Sequence, residues 1–185
     1  MRRLITTLLL FLPTMVFASG GGDLLKAETD ITDKASLQAG AKLFVNYCMG
    51  CHSINYLRFQ RMGHDLGLSD EDLQENLMFT AEKVGETMNI AMNEDDAKTW
   101  FGVMPPDLSV IARARGTDWL YTYLLSFYLD SSRPVGVNNL VFKDVGMPHV
   151  LWERQGWQKL VHTPDGHGHE KAELVLVNEA DQDKA

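Results

Sequence analysis

Residues 48–52, Cys-Met-Gly-Cys-His, are the part of the chain whose residue types and spacing most directly indicate chemistry. A C-x-x-C-H run is the signature of c-type haem attachment. Two thiols at this spacing add to the two vinyl groups on one edge of the macrocycle, and the histidine that follows reaches the iron from one face. The run therefore predicts one covalent haem c, attached through Cys48 and Cys51, with His52 as an iron ligand.

Other uses of the two cysteines are weaker but remain open from the residues alone. Structural zinc needs four ligands, and the chain has only these two cysteines and six scattered histidines. A redox motif of the thioredoxin type would follow a strand in an alternating strand and helix pattern, whereas this motif follows a predicted helix. A simple disulfide leaves His52 without a role. His162, His167 and His169 could also bind a metal, although an exposed linker explains their spread better.

The opposite face of the iron needs its own ligand, and a methionine on an irregular segment that can lie over the haem is the best candidate. Of the nine methionines, Met147 fits, because it stands between Gly146 and Pro148. Met104 competes, because it precedes Pro105-Pro106 at a separation from the attachment motif that is common in small cytochromes. For any single methionine the alternative is packing, since a thioether fills gaps well. Residue chemistry favours Met147 and leaves Met104 open.

Predicted helices position these residues. Ser36 caps an amphipathic helix that leads directly into Cys48, and Ser69 with Asp72 resembles a capping box. The other expected elements are a helix from Thr80 to Met88, a polar turn at Asn93 to Asp96, a helix from Leu108 to Arg115 capped by Asp107, a core helix from Trp119 to Leu129, an irregular segment from Asp130 to His149, and a strand at Glu173 to Val177. The pattern is mainly α.

The ring of His52 should donate its second N–H to a carbonyl, which fixes the orientation of a histidine that binds a metal. The segment Met104-Pro105-Pro106 is the candidate for supplying that carbonyl. That segment is thus expected to approach the attachment motif.

The first 18 residues predict a secretory signal peptide. Arg2 and Arg3 precede an apolar run, and small residues follow at Ala18 and Ser19. An uncleaved membrane span is the alternative, disfavoured because the apolar run is short and interrupted. No other stretch approaches the length needed to cross a bilayer.

Composition and charge narrow the function further. The chain is 45% hydrophobic and 23% charged, which is ordinary for one globular domain. Its formal charge of -8 argues against nucleic acid as a partner and favours a cationic one. Clusters at Asp65 to Asp72 and at Glu94 to Asp96 could steer a basic partner, with ordinary solvated surface charge as the alternative.

Four motifs together resemble the cytochrome c1 family, the haem-bearing subunit of the cytochrome bc1 complex. They are Cys48-Met49-Gly50-Cys51-His52-Ser53, Met104-Pro105-Pro106-Asp107-Leu108-Ser109, Ala112-Arg113-Ala114-Arg115-Gly116 and Val145-Gly146-Met147-Pro148. Their order and spacing also match, and the resemblance runs from the leader to about Leu160.

The resemblance implies a mainly α, cytochrome c-like fold with one covalent haem and long irregular loops around it. It implies an electron carrier, not an enzyme on its own, that accepts an electron from the Rieske iron-sulfur protein beside cytochrome b and passes it to a soluble cytochrome c. The family's sixth ligand corresponds to Met147, and its propionate-binding arginine corresponds to Arg115, for which a solvated helix end is the alternative. The chain is shorter between Arg115 and Trp119 than in mitochondrial relatives, so the resemblance assigns no propionate contact to Trp119 or Tyr123.

The same resemblance divides the chain into residues 1–18 as signal peptide, 19–160 as haem domain, and 161–185 as a polar hairpin or tail leading to a C-terminal helix and membrane anchor that this chain lacks. It places the protein on the periplasmic side of a bacterial inner membrane. The functional alternatives are a stand-alone soluble periplasmic c-type cytochrome, and a haem enzyme or gas sensor with a displaceable sixth ligand.

Overall fold

The computed structural model describes residues 24–164, 166 and 170–177. The predicted signal peptide, His167 and His169 lie outside them. About 37% of the described residues are helical and 18% are in strands, so the expectation of a mainly α fold is confirmed only in part. Several short strand pairs replace what the sequence suggested would be helix or loop.

The first half of the chain begins with an amphipathic helix that leads into the attachment motif. Its elements are α1 (Lys34–Leu43), a π-helical turn (Phe44–Cys48), β1 (Ile54–Arg58), α2 (Phe59–Leu66), α3 (Asp70–Asn76) and β2 (Thr87–Met88). The N-cap of α1 is Asp33, whose carboxylate accepts a hydrogen bond from the backbone N–H of Ser36 at 3.0 Å. The expected helix therefore forms, but it starts earlier than the predicted cap at Ser36.

A first hydrophobic core lies within this half. Phe59 of α2, Leu73 of α3 and Met88 of β2 are fully buried in it. Met49, the residue after Cys48, belongs to the same core and is 3% exposed. The attachment motif is thus anchored by a side chain from inside the motif itself.

The predicted capping box at the start of α3 is confirmed. The Ser69 hydroxyl accepts from the backbone N–H of Asp72 at 3.1 Å, and the Asp72 carboxylate accepts from the backbone N–H of Ser69 at 3.1 Å. Both bonds satisfy donors that a helix N-terminus otherwise leaves without partners.

We expect Ser69→Ala to lower the free energy of unfolding by about 1 kcal/mol, because the substitution removes the oxygen that caps α3. Urea denaturation followed by circular dichroism would measure the change. Ser131→Ala, at an exposed position outside the helices, is the control and should leave the midpoint unchanged. Equal stability of the two variants would contradict the prediction.

The second half contains short helices and two further strand pairs. Its elements are α4 (Glu94–Phe101), α5 (Ile111–Arg115), α6 (Thr117–Leu125), β3 (Phe127–Leu129), β4 (Val137–Asn139), α7 (Trp152–Gln155), β5 (Gln158–Pro164) and β6 (Glu170–Leu176). The three strand pairs, β1 with β2, β3 with β4 and β5 with β6, are all antiparallel.

Two expectations between β1 and α4 are wrong. Residues 80–88 form no helix, because Thr87 and Met88 pair with β1. The expected turn at residues 93–96 is instead the start of α4, where the Asn93 side chain accepts from the backbone N–H of Asp95 at 2.8 Å. Acidic residues in a first turn suit the positive end of a helix dipole, so their polarity indicated a helix start.

Two further helices differ from their expected bounds. The helix expected from residue 108 begins only at Ile111, because the Asp107 carboxylate accepts from the backbone N–H groups of Ser109 and Asn55 instead of capping a helix. The expected core helix ends at Leu125, and residues 127–129 form β3. The segment 130–149 is irregular as expected, apart from β4.

A second hydrophobic core lies in the later half. Phe127, Val137 and Val145 are its fully buried members, and Tyr123, Met147 and Trp157 are among the half-buried residues that pack against it. This core shares no residue with the first one.

The N-terminal segment lies against α6. The backbone N–H of Leu25 donates to the Thr122 hydroxyl and that of Ala27 to the Asp118 carboxylate, both at 2.9 Å. Lys26 also forms an ion pair with Asp118 at 2.8 Å. Residues 25–27 are therefore tied to the helix that carries Trp119 and Tyr123.

The hairpin of β5 and β6 ends the described part of the chain. Its strands pair from Gln158 with Leu176 to Pro164 with Glu170, which confirms the strand expected at residues 173–177 and extends it. Among residues 24–164, 166 and 170–177, no helix is both long and apolar enough to span a membrane.

Candidate haem-attachment site

The attachment motif forms one tight turn at the end of the π-helical segment. The Cys48 carbonyl accepts hydrogen bonds from the backbone N–H groups of Cys51 at 3.0 Å and His52 at 2.9 Å. These bonds hold the two half-buried cysteines and the histidine within a single turn of chain.

The cysteine thiols are not joined in a disulfide. Burial raises the pKa of the Cys48 thiol, with a smaller contribution from the neighbouring Cys51, and burial likewise raises the pKa of the Cys51 thiol. A redox-active C-x-x-C pair has a cysteine whose pKa is lowered. The direction here is the opposite, which disfavours the thioredoxin-type reading.

The orientation of His52 is fixed by a backbone carbonyl. Its Nδ1 lies 2.8 Å from the Pro106 carbonyl oxygen. A carbonyl can only accept, so Nδ1 is the donor in this hydrogen bond, and Nε2 is the ring nitrogen left to bind a metal. This is the hydrogen bond expected from the segment 104–106, and it fixes the orientation of the ring as in histidines that bind a metal.

The loop that supplies this carbonyl is fastened to the chain that follows the motif. The Leu108 N–H donates to the Ser53 carbonyl at 2.8 Å, and the Asn55 N–H donates to the Asp107 carboxylate at 2.8 Å. Residues 105–109 therefore run beside residues 53–56, and the Pro-Pro-Asp-Leu-Ser motif serves to hold His52.

Met147 lies on an irregular segment that approaches α4. A Cβ added to Gly146 would come within 3.2 Å of the Phe101 carbonyl oxygen, so the residue that precedes Met147 must be small. Met147 is half-buried against the second core, and its Sδ accepts a hydrogen bond from the Tyr123 hydroxyl at 3.4 Å. Met104 is also half-buried, in the loop after α4.

Tyr123 was not assigned a role from the sequence. Its ring is held by aromatic neighbours, and burial raises the pKa of its phenol to about 12, so the hydroxyl remains a donor at any ordinary pH. The available sequence signal was its spacing, four residues after Trp119 on the same face of a helix. Nothing in that spacing indicated Met147 as its partner.

Arg115 is the last residue of α5 and is exposed. Its guanidinium carbon lies 5.0 Å from the centre of the Trp119 ring, a cation–π contact. A guanidinium placed over a ring in this way keeps its N–H donors available for a carboxylate such as a haem propionate.

His162 shows no sign of a metal site in the residues that can be described. Its Nδ1 lies 3.8 Å from a Glu170 carboxylate oxygen, on the exposed hairpin. Within residues 24–164, 166 and 170–177, no three His, Cys, Asp or Glu side chains are grouped so as to hold a metal ion.

The donor set fits a covalently attached haem. Two protonated thiols stand at the attachment spacing, the imidazole offers a free Nε2, and an irregular segment carries a thioether. Met49 anchors the motif in the first core, while Met147 rests on the second.

These features define a site of the kind found in c-type cytochromes. The sequence model of the Cytochrome C1 family matches residues 26–168, and the chain belongs to that family. Membership implies a covalently bound haem c and electron transfer as an electron-carrier subunit of the bc1 complex. The resemblance drawn from the four motifs is confirmed.

Two curated relatives illustrate the match. The chain is 54% identical over 166 residues to cytochrome c1 of Allochromatium vinosum, which covers 89% of this chain and 68% of that protein. It is 57% identical over 135 residues to a protein of Nitrosomonas europaea named ammonia monooxygenase gamma subunit, which covers 73% of this chain and 57% of that protein. The chain thus spans 68% and 57% of the length of these two relatives.

Proposed function

We propose that this chain accepts an electron from a Rieske iron-sulfur protein and passes it to a soluble cytochrome c, beside cytochrome b in a ubiquinol-cytochrome c reductase on the periplasmic side of a bacterial inner membrane. The observation that carries the proposal is the His52–Pro106 hydrogen bond inside a C-x-x-C-H turn, in a chain of the Cytochrome C1 family. Residues 19–160 are the haem domain in this proposal, 1–18 a signal peptide, and 161–185 a hairpin or tail before a membrane anchor.

Each site residue has one task. Cys48 and Cys51 would attach the haem, His52 and Met147 would supply the two protein ligands of its iron, and Arg115 would pair with a propionate. When bound, the haem supplies a one-electron couple. Two protein ligands on the iron would leave no position for a gas or peroxide, so the residue set favours electron transfer.

Expression in a host that matures c-type haem tests the proposal. We expect one haem per chain by the pyridine haemochrome assay. In stopped-flow experiments we expect reduction by a soluble Rieske fragment, then oxidation by a soluble cytochrome c. A colourless product would contradict haem attachment. Rapid carbon monoxide binding by the reduced protein would favour the enzyme or sensor alternative.

Of the two acidic clusters, the one on α4 is better placed to steer a basic partner. The C-terminal end of α4 lies close to the segment that carries Met147, because a Cβ added to Gly146 would come within 3.2 Å of the Phe101 carbonyl oxygen. Trp100, beside Phe101, is 62% exposed. On α4, Glu94 pairs with Lys98, so the steering role falls to Asp95 and Asp96. In the other cluster, Asp65 pairs with Arg61, and Asp72 closes the capping box of α3.

We expect Asp95→Asn/Asp96→Asn to lower the second-order rate constant for a basic cytochrome c severalfold at low ionic strength and to flatten its dependence on salt, because steering scales with charge near the docking surface. Stopped-flow measurements over a salt series would show the change. Asp70→Asn/Glu71→Gln, also in the first turn of a helix, is the matched control. Equal salt slopes for the two double variants would remove the steering role of α4.

A further inference from the structure

We propose that Tyr123 is a positioning residue that raises the reduction potential of the site by donating a hydrogen bond to the sulfur of Met147. This inference rests on the proposed function, in which Met147 is an iron ligand. It adds a residue that the sequence motifs do not contain and that lies 24 residues from Met147 in the chain.

The geometry of the contact supports a hydrogen bond. The Tyr123 Oη lies 3.4 Å from the Met147 Sδ. A thioether sulfur is a weak acceptor with a large radius, so its hydrogen bonds are longer than those to oxygen. A phenol is the better donor of the pair, since a thioether has no proton to give.

The aromatic neighbours of Tyr123 fix the direction of its hydroxyl. Trp119 stacks on its ring with the centroids 5.1 Å apart and the planes 10° from parallel, and Phe127 meets its edge at 5.2 Å. Phe142 makes a third ring contact at 6.3 Å. A ring held on several sides cannot swing its hydroxyl elsewhere without disturbing the second core.

The backbone of Tyr123 is held as well. Its carbonyl accepts a hydrogen bond of 2.7 Å from the Asn139 side-chain amide, and Asn139 is 1% exposed. The side-chain oxygen of the same residue, Asn139 Oδ1, accepts a hydrogen bond from the backbone N–H of Val141, in the irregular segment that leads to Met147. One buried side chain thus links the donor's helix to the acceptor's segment.

The chemical consequence follows from the two lone pairs of a thioether. One lone pair of the Met147 sulfur can bind iron while the other accepts the hydrogen bond from the Tyr123 hydroxyl. A donated hydrogen bond draws electron density from the sulfur, which then stabilises ferric iron less than ferrous iron. Hydrogen bonds to a ligand are an established means of tuning the potential of a metal. Removal of the hydroxyl should therefore lower the potential and leave the ligand in place.

Tyr123→Phe tests this in the haem-loaded protein, with Tyr121→Phe as the matched control, because Tyr121 lies on the same helix and is 45% exposed. The readouts are the near-infrared sulfur-to-iron band of the ferric protein and the potential from a spectroelectrochemical titration. We expect Tyr123→Phe to keep the sulfur-to-iron band, at a shifted wavelength. We also expect its reduction potential to be lower than that of the wild type, so that the ferrous-to-ferric ratio at a fixed applied potential falls severalfold. Tyr121→Phe should match the wild type.

The outcomes separate this inference from the proposed function. A wild-type band with equal potentials for the two variants would overturn the role of Tyr123 while Met147 remains the ligand. A missing wild-type band would overturn both assignments. Should Tyr123→Phe fail to fold, proton NMR of the reduced wild type gives the answer: a nuclear Overhauser effect between the Tyr123 hydroxyl proton and the Met147 methyl supports the bond, and its absence overturns it.

Discussion

Replacing both cysteines of the attachment turn, Cys48→Ala/Cys51→Ala, should reduce covalent haem from one per chain to background. The two thiols stand in a single turn closed by hydrogen bonds to the Cys48 carbonyl, and the chain contains no other cysteine. Haem staining after denaturing electrophoresis measures the loss, because only covalently attached haem survives denaturation.

One single variant and a control variant at a neighbouring position make this test more specific. Cys51→Ala should keep a weak stain, since one thioether can still form. Asn46→Ala, at an exposed position two residues before the turn, should stain like the wild type. Full staining of the double variant would refute the attachment sites, and loss of stain in Asn46→Ala would mean that the assay reports folding instead of attachment.

Met147→Leu should abolish the near-infrared sulfur-to-iron band and lower the reduction potential by on the order of 0.1 V or more, because axial ligands set haem potentials over a range of roughly 0.8 V. The reduced variant should also bind carbon monoxide, since one face of the iron loses its protein ligand. The half-buried position of Met147 against the second core suits leucine, which conserves volume.

Met104→Leu is the matched control for Met147→Leu. Met104 is likewise half-buried on a loop beside a proline, so the substitution changes the same atoms at the position that residue chemistry left open. We expect its band and potential to match the wild type. If the band disappears in Met104→Leu and survives in Met147→Leu, the ligand assignment is reversed.

Features that depend on neighbouring residues were predictable from the sequence. The spacing of Cys48, Cys51 and His52 carries its own chemistry, and the capping box at Ser69 is closed by bonds that span three residues. The carbonyl partner of His52 was also predictable, because a double proline ends a helix and leaves its carbonyl groups free to accept. In each case the interactions that determine the feature lie within one short segment or at a residue, such as proline, that ends a helix.

Features that depend on tertiary pairing were not predictable. Thr87 and Met88 pair with β1, so the helix that their periodicity predicted does not form. Residues 127–129 pair with β4 where the aromatic run suggested a longer α6. The Tyr123–Met147 contact joins a helix to a loop, and only the packing of the second core brings them together. Long-range partners override local propensity in each case.

The hydrogen bonds between residues 25–27 and α6 determine when the N-terminal segment docks during folding. Leu25 and Thr122 are 97 residues apart in the chain. Closing a loop of that length costs about 4 kcal/mol of chain entropy, more than the few hydrogen bonds of residues 25–27 supply by themselves. In the exported protein proposed above, Leu25 also crosses the membrane well before Thr122 does. We therefore expect the N-terminal segment to dock late in folding, which leaves the cysteine turn within that loop accessible to the maturation machinery before the loop is closed.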